Sequence, residues 1–380
     1  MKPIQMVDLK GQYYKIKEAI DQAVLEVIDS STFIGGPVVK RFSEDLAQYL
    51  DVKHVIPCGN GTDALQIALM ALGLQAGDEV ITPSFTFIAT VEVVGLLGLK
   101  PVFVDVDPEH FNITPQAIEK AITPKTKAII PVHLYGQSAP MEEILEIGKR
   151  YNIPIIEDTA QAIGGHYTFS DGRVKKNGTM GTIGTTSFFP SKNLGAYGDG
   201  GAIFTNDGKL AEELLKIANH GQQKRYYHDR IGINSRLDAI QAAVLSVKLP
   251  FLDTYCQARR AAADYYDEKL SNHPMITIPK RESYAYHVFH QYTLKLDKAI
   301  NRDEVVEKLA AQGIPSMIYY PLACHHQKMF ESIEITIAEL THTEQLNPQV
   351  ISLPMHTELT HEQQDFIVSN LIQIIDSISK

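Results

Sequence analysis

One lysine of this sequence, Lys192, stands where an amine can do chemistry. It lies just after the β-type run TTSFFP, and the glycine-rich segment NLGAYGDG separates it from the next apolar run, GAIFTND. A lysine amine forms imines with carbonyl compounds, and it acts as a base when burial lowers its pKa. Because an isolated Ser-Lys pair is more often an ordinary exposed lysine, the prediction depends on partners elsewhere in the chain.

Two polar residues follow the apolar run in PIIEDTAQ. Asp158 should be buried where a strand ends, and such an aspartate often only caps the next helix. Paired with a pyridinium nitrogen, its carboxylate would instead keep that nitrogen protonated and make the ring an electron sink. Gln161 could reach the same ring from the side, or it could equally be a polar residue on a helix surface.

A phosphate site is predicted in CGNGTDAL, where a strand ends and a helix begins. The free N–H groups at a helix N-terminus bind phosphate, which places Gly61 and Thr62 in contact with it. Ser187 could add a hydroxyl, although a serine on a strand is usually structural. Phe87, in PSFTFIAT, could offer a flat face to a ring, although most such phenylalanines belong to the core.

The elements that must position these residues alternate along the chain. Between residues 52 and 206, short runs rich in Val, Ile and Phe alternate with amphipathic segments, which predicts an α/β domain with a mainly parallel sheet. Open sheets of this kind bind ligands at the carboxyl ends of their strands. We expect a large domain over residues 1–250 and a smaller α+β domain over residues 251–380.

Helical periodicity places further elements outside the sheet region. Residues 16–29 and 38–50 each carry apolar side chains at helical spacing and predict two helices around a Gly-Gly-Pro turn. Residues 236–270 predict one long helix or two consecutive helices interrupted at Pro250.

Composition excludes several classes of protein. The net charge of −10 is spread along the chain, which argues against general nucleic-acid binding. No stretch approaches the roughly 20 apolar residues of a membrane span. The three cysteines, Cys58, Cys256 and Cys324, form no CxxC pair and favour a reducing, cytoplasmic compartment.

Two other ligand chemistries fit the sequence poorly. A nicotinamide-binding Rossmann domain would need GxGxxG at its first strand-turn, and the segment there lacks it. His325 and His326 are the most conspicuous pair of metal-ligand types. Adjacent residues do not share a helix face, so we expect surface or pocket-rim residues and no metal site.

Five segments in this order resemble the sugar aminotransferases of the DegT/DnrJ/EryC1/StrS family. They are GNGTDAL, PSFTFIAT, EDTAQ, SFFPSKNLGAYGDGGAIFTND and GINSRLDAIQAA. The resemblance spans nearly the whole chain. It implies an aspartate-aminotransferase-like fold of type I, pyridoxal 5′-phosphate (PLP) as cofactor, and a homodimer with active sites at the subunit interface.

The resemblance also implies a set of cofactor-binding residues. The implied contacts are Lys192 (covalent attachment), Asp158 (pyridine nitrogen), Gln161 (phenolic oxygen), Phe87 (ring stacking), Gly61, Thr62 and Ser187 (phosphate), and Asn234 (phosphate of the other subunit's cofactor).

Within the family, whole segments resemble the enzymes that aminate C3 of UDP-2-acetamido-2-deoxy-3-keto-glucuronate for surface polysaccharides such as O antigen. L-Glutamate would be the amino donor. The resemblance assigns the sugar nucleotide to Ser191 and, from the partner subunit, to Arg236. An arginine suits a uronate because its planar fork binds both carboxylate oxygens.

Two departures keep a second substrate class open. Tyr319 and Tyr320 precede a proline where those enzymes have His-Tyr-Pro, and Phe33 replaces an early tyrosine. The alternative is a dTDP-3-keto-6-deoxyhexose or a 4-keto sugar, which needs no partner for a carboxylate. Related dehydratases carry histidine in place of the lysine, so Lys192 argues against them. A non-catalytic, ligand-binding relative would show damage to the cofactor set, and the sequence shows none.

Overall fold

The computed structural model describes residues 3–379, and its helices and strands are numbered in chain order. Helices α1 to α13 are Leu9–Lys15, Lys17–Ser30, Gly36–Leu50, Gly61–Ala71, Ala89–Leu96, Pro115–Ala121, Met141–Tyr151, Gly208–Ala218, Ala239–Lys248, Leu252–Leu270, Arg302–Ala311, Thr341–Leu346 and His361–Ile378. Strands β1 to β15 are His54–Cys58, Glu79–Pro83, Lys100–Val104, Thr126–Ile129, Ile156–Asp158, His166–Thr168, Val174–Lys176, Ile183–Ser187, Gly201–Thr205, Gln222–Lys224, Tyr227–His228, Ile276–Thr277, Tyr292–Leu296, Thr336–Ile337 and Val350–Leu353. Short 3₁₀ helices occupy Leu134–Gly136, Leu249–Phe251, Cys324–His326 and Lys328–Ser332.

A mainly parallel sheet forms the centre of the molecule. One section has the parallel order β14-β3-β2-β4. The other has the order β1-β9-β8-β5, in which β9 runs antiparallel to both of its neighbours. Parallel bridges Ile129–Ile155 and Val132–Asp158 join the two sections into one continuous sheet. The predicted α/β class and mainly parallel sheet are confirmed.

Helices cover both faces of this sheet, which explains why its strands are continuous apolar runs. Every residue of β2 and β9 is buried. Along β2, Val80 packs in the cluster that includes α4, α5 and α8, whereas its neighbour Ile81 packs in the cluster that includes α6 and α7. Successive strand residues point to opposite faces, so these two clusters are the two layers that flank the sheet.

The helices predicted from periodicity are present. Helices α2 and α3 correspond to the predicted segments 16–29 and 38–50, and both lie against α9. The predicted segment 236–270 forms two helices, α9 and α10. A 3₁₀ turn that contains Pro250 separates them, as expected for a residue that lacks an N–H and cannot continue a helix ladder.

The C-terminal part has its own sheet and core. Strands β12, β13 and β15 form an antiparallel sheet that packs on α10, α11 and α13. Tyr266, Leu294 and Leu371 are fully buried in this core. The boundary between the predicted domains 1–250 and 251–380 falls in the 3₁₀ turn between α9 and α10, and that division stays a prediction.

Candidate active site

Lys192 lies in a turn immediately after β8. Its backbone N–H donates to the carbonyl of Phe189 at 2.8 Å, and the N–H of Ala196 donates to the carbonyl of Phe188 at 2.8 Å, which closes the turn. Burial lowers the pKa of Lys192 to about 8, while the nearby carboxylate of Asp158 opposes this shift. At neutral pH, the uncharged amine is therefore roughly two orders of magnitude more abundant than for an ordinary lysine.

Asp158 is the last residue of β5, and its carboxylate is the acid that influences the pKa of Lys192. Its side chain is buried, with 5% of the residue exposed. Oδ2 accepts a hydrogen bond from the hydroxyl of Thr90 at 2.9 Å, and Oδ1 accepts one from the N–H of Ala160 at 3.1 Å. A carboxylate has about four lone-pair sites, so it can still accept a bond from a ligand.

Gln161 is buried in the turn that follows β5, which excludes the alternative of a helix-surface residue. Its Oε1 accepts a hydrogen bond from the backbone N–H of Tyr135 at 2.7 Å, and its Nε2 donates to the hydroxyl of Tyr320 at 2.9 Å. Because an amide nitrogen carries two N–H groups, one donor remains for a ligand.

The residues predicted to bind phosphate lie where α4 begins. Asn60 caps this helix by accepting a hydrogen bond from the N–H of Asp63 at 2.8 Å, and within the described residues the N–H groups of Gly61 and Thr62 have no protein acceptor. A Cβ at Gly61 would lie 2.7 Å from the Cβ of Ser187, so only glycine fits against the end of β8. The N-terminus of α4 and the hydroxyl of Ser187 therefore lie close together.

Phe87 precedes α5, and 53% of it is exposed. Its ring centre lies 6.2 Å from that of Tyr320, at an angle of 41°. The carbonyl of Phe87 accepts a hydrogen bond from the N–H of Thr90 at 3.3 Å, and the Thr90 side chain binds Asp158. The turn from Phe87 to Thr90 therefore positions the exposed ring of Phe87 and, through the Thr90 hydroxyl, the carboxylate of Asp158.

Asn234 and Arg236 are exposed, unlike Asp158 and Gln161. Between them, Ser235 is buried; its hydroxyl accepts a hydrogen bond from the N–H of Gly59 at 2.9 Å and donates to Asp63 at 2.6 Å. The backbone of this segment is thus fixed to the loop that begins α4, while the two flanking side chains face outward.

The remaining predicted residues differ in how deeply they are buried. Ser191 is partly buried beside Lys192. Tyr319 is partly buried, its carbonyl accepts a hydrogen bond from the Tyr135 hydroxyl, and its own hydroxyl pairs with Gln291. Phe33 is 45% exposed, and its carbonyl accepts a hydrogen bond from the N–H of Ala239.

Comparisons with known proteins show which family the chain belongs to. The model of the DegT/DnrJ/EryC1/StrS aminotransferase family matches residues 14–372. The chain belongs to this family. Its members are PLP-dependent aminotransferases of nucleotide sugars, so the predicted enzyme class and cofactor are confirmed.

Similar proteins cover nearly the full length of the chain. A "pleiotropic regulatory protein" of Geobacillus stearothermophilus is 49% identical over 97% of this chain and 98% of its own. A "UDP-2-acetamido-2-deoxy-3-oxo-D-glucuronate aminotransferase" of Pseudomonas aeruginosa is 46% identical over 94% of this chain and 96% of its own. A "dTDP-3-amino-3,4,6-trideoxy-alpha-D-glucose transaminase" of Streptomyces venezuelae is 36% identical over 99% and 95%.

Solved structures of the family have the same fold. A family member from Brucella abortus superposes with a TM-score of 0.92 at 41% identity, covering 98% of this chain and 99% of its own. NtdA from Bacillus subtilis, with bound cofactor PMP, superposes with a TM-score of 0.86 at 34% identity, covering 95% and 82%. The predicted type I fold is confirmed.

The residues present fit PLP. A carboxylate with spare acceptor capacity, a lysine with a lowered pKa and a helix N-terminus with free N–H groups converge at the carboxyl ends of strands. Because Gly61 has no Cβ, Ser187 can lie against the start of α4, which brings the serine hydroxyl close to the free N–H groups of the helix.

The sequence did not identify His290 as a residue close to Lys192. Burial holds the pKa of His290 well below its ordinary value, and the nearby cations of Lys192 and Arg259 lower it further. Arg259 is itself buried and donates to three carbonyls, those of Phe289, His290 and Met355, at 3.0 to 3.2 Å. The segment HVFHQY carries no local signal of this position, because the proximity to Lys192 brings together the residues before β13 and the turn after β8.

Proposed function

We propose that this aminotransferase moves the amino group of L-glutamate to the C3 keto carbon of UDP-2-acetamido-2-deoxy-3-keto-glucuronate, in the synthesis of a surface polysaccharide such as O antigen. The proximity of Lys192 and Asp158 carries the amino-transfer chemistry. The full-length similarity to the Pseudomonas aeruginosa protein supports the choice of substrate.

The proposed cofactor roles are those that the resemblance to the family implies, and the geometry of the single chain supports them. Lys192 would hold PLP covalently, with Asp158 behind the pyridine nitrogen, Gln161 at the phenolic oxygen and Phe87 on the ring face. Gly61, Thr62 and Ser187 would bind the phosphate. Because Asp158 pairs with Thr185 in the sheet, Ser187 lies two residues further along the neighbouring strand, and the two ends of a flat ligand are held by rigid elements.

The bound cofactor supplies a carbonyl that accepts an amino group from one substrate and passes it to the next, and a ring that takes up negative charge. Glutamate and keto sugar use the site in turn, so ping-pong kinetics are expected. Nζ of Lys192 would take the proton from the glutamate carbon that carries the amino group, and would return a proton to the carbon on the other side of the transferred nitrogen. A pKa of about 8 allows the amine both to accept and to donate a proton near neutral pH.

Asp158 and Gln161 act by position. Asp158 would keep a pyridine nitrogen protonated, and the Thr90 hydroxyl holds the carboxylate in place. Gln161 would donate its remaining N–H to the cofactor's phenolic oxygen, and the bonds to Tyr135 and Tyr320 fix the orientation of its amide.

The active site is completed in a homodimer. Asn234 would reach the phosphate of the partner's cofactor, and Arg236 the partner's sugar nucleotide. Their side chains are exposed although the backbone beside them is anchored at Ser235. Ile231, close by, is 85% exposed, and burying such an apolar residue against a second subunit is favourable.

Mixed dimers test this arrangement. Lys192→Ala and Asn234→Ala homodimers should both have little activity, and exchanging their subunits should restore part of it, because one site then has both native residues. If the mixture stays as inactive as its parents, or if the protein sediments as an active monomer, the shared site is wrong.

A dTDP-linked 3-keto-6-deoxyhexose or a 4-keto sugar is the second candidate. Tyr319 stands where the uronate enzymes have histidine, and the Streptomyces venezuelae relative is named for a dTDP sugar. Such a substrate has no carboxylate and would leave Arg236 without its proposed role.

A substrate panel decides between the two. Amine transfer from glutamate should be fastest to the UDP-3-keto uronate, and Arg236→Ala should remove that preference. Arg225→Ala is a matched control, because Arg225 is an exposed arginine of the same segment and should leave the preference intact. A wild-type preference for dTDP or 4-keto sugars would overturn the proposed substrate and leave the aminotransferase assignment standing.

The compartment stays a prediction. Within residues 3–379, no helix combines the length and the apolar character that crossing a bilayer requires. A cytoplasmic enzyme would meet glutamate and nucleotide sugars directly.

A further inference from the structure

A second group of chemically active side chains lies outside the cofactor site. Nε2 of His325 and Nε2 of His326 lie 2.8 and 2.7 Å from the same atom, Oε1 of Glu344. The three atoms all lie within 4.8 Å of one another. The expectation that neighbouring histidines point apart is wrong here, because in the 3₁₀ helix Cys324–His326 the two ring centres are 3.9 Å apart. We call these three residues the His325 cluster.

We propose that the His325 cluster binds one divalent cation of the zinc class. Two imidazole nitrogens and one carboxylate oxygen form a donor set that zinc uses in proteins, with a fourth position left for water. Nitrogen ligands favour zinc and its neighbours among the transition metals over Mg²⁺ or Ca²⁺, which take oxygen ligands.

The spacing of the ligand atoms is close to what an ion needs. Ligand atoms about 2.0–2.1 Å from a tetrahedral zinc lie roughly 3.3 Å from one another. The two nitrogens must therefore each move about half an ångström from the carboxylate oxygen. The side chains of His326 and Glu344 are each 49% exposed and can make this adjustment, and they also leave the ion a path from solvent.

His325, the third proposed ligand, is already held in one orientation by the protein. The His325 side chain is 4% exposed, and its Nδ1 lies 2.7 Å from the hydroxyl of Ser84. A hydrogen bond to the second ring nitrogen orients a metal-binding histidine and selects the tautomer whose other nitrogen faces the metal. The N–H of His325 also donates to this hydroxyl, at 3.3 Å, so Ser84 holds both backbone and ring.

A bound ion would join two parts of the chain directly, and a third part contacts the cluster through Ser84. Glu344 lies on α12, the histidines precede it, and Ser84 follows β2 in the loop that leads to Phe87. The N–H of Cys324 already donates to the carbonyl of Ser84 at 3.0 Å. The ion would therefore hold Glu344 to the histidines, and the existing bonds of Ser84 to His325 connect this cluster to the loop that carries Phe87.

Zinc titration of the full-length, cofactor-loaded protein, first freed of metal by a chelator and desalted, tests the proposal. In competition with a chromophoric chelator, the wild type should bind one Zn²⁺ per chain at this site. His326→Ala and Glu344→Gln should each weaken binding at least about tenfold, and Ser84→Ala by about 10–100-fold. Both ligand substitutions change half-exposed side chains, so folding should be preserved.

His342→Ala is the matched control. His342 lies on the same helix as Glu344, but its ring faces Asp105, with Nδ1 3.3 Å from Oδ2. This variant should bind zinc like the wild type. The proposal is overturned if the wild type takes up no zinc, or if His326→Ala and Glu344→Gln bind as tightly as the wild type. Either result would leave the cluster as two histidines hydrogen-bonded to one carboxylate.

Discussion

The hydroxyl of Thr90 donates a 2.9 Å hydrogen bond to Oδ2 of Asp158, although the two residues belong to different layers of the fold. The bond is buried at both ends, since 1% of Thr90 and 5% of Asp158 are exposed. Because water does not compete for this bond, it fixes the carboxylate of Asp158, which is proposed to face the pyridine nitrogen.

Replacing Thr90 by valine should weaken PLP binding. Hydrogen bonds to charged groups contribute about 1.5–3 kcal/mol, so the dissociation constant should rise roughly tenfold to a hundredfold. Cofactor titration of the apoprotein measures this. Thr82→Val is the matched control: Thr82 is equally buried, and its hydroxyl has no partner within the described residues. Equal effects of both substitutions would contradict a specific role for the Thr90 bond.

Gly61→Ala should damage phosphate binding in particular. The new Cβ would lie 2.7 Å from the Cβ of Ser187, and relieving such overlap costs about 1–3 kcal/mol and displaces the start of α4. PLP affinity should fall at least about tenfold. The affinity for pyridoxal, which lacks the phosphate, should change little.

Gly208→Ala provides the comparison for that substitution. Gly208 also begins a helix, α8, and a Cβ there would meet only Nε2 of His54 at 3.6 Å. This variant should bind PLP normally. If Gly61→Ala reduced the affinities for PLP and pyridoxal equally, the start of α4 at Gly61 would not be the phosphate site.

The sequence predicted those parts of the site that local patterns determine. Lys192, Asp158 and Gly61 each follow or precede an apolar strand, and the carboxyl ends of such strands meet at one edge of a sheet. The Thr90 bond was not predictable, because it joins positions 68 residues apart and depends on how α5 packs on the sheet. Glu344 was missed for the same reason.

Other parts of the site came from resemblance alone. Nothing in the periodicity of the chain marks Asn234 or Arg236, whose proposed roles require a second subunit. The position of His290 beside Lys192 likewise depends on tertiary structure, in which Arg259 holds the carbonyl of His290 at 3.2 Å.

The lowered pKa of Lys192 predicts how cofactor capture depends on pH. Only the uncharged amine reacts with the PLP carbonyl, so the rate of covalent capture by the apoprotein should rise with pH and reach half its plateau near pH 8. Asp158 raises this pKa, so Asp158→Asn should move the midpoint to lower pH. Stopped-flow absorbance, with borohydride trapping and mass spectrometry to locate the adduct, measures this. A midpoint near that of an ordinary lysine would refute the buried amine.

Lys248 should make stability depend on pH in the alkaline range. It is 1% exposed, its Nζ donates to the carbonyl of Gly195 in the loop after Lys192, and burial lowers its pKa to about 8. Between pH 8 and 10.5 the unfolded chain binds this proton and the folded chain does not, so the free energy of unfolding rises with pH. Relative to Lys248→Met, the apoprotein should gain about 3 kcal/mol over this interval. Because Lys192 is present in both proteins, its own contribution cancels in urea unfolding measured at each pH. Parallel stability curves would mean that Lys248 keeps its proton in the folded protein.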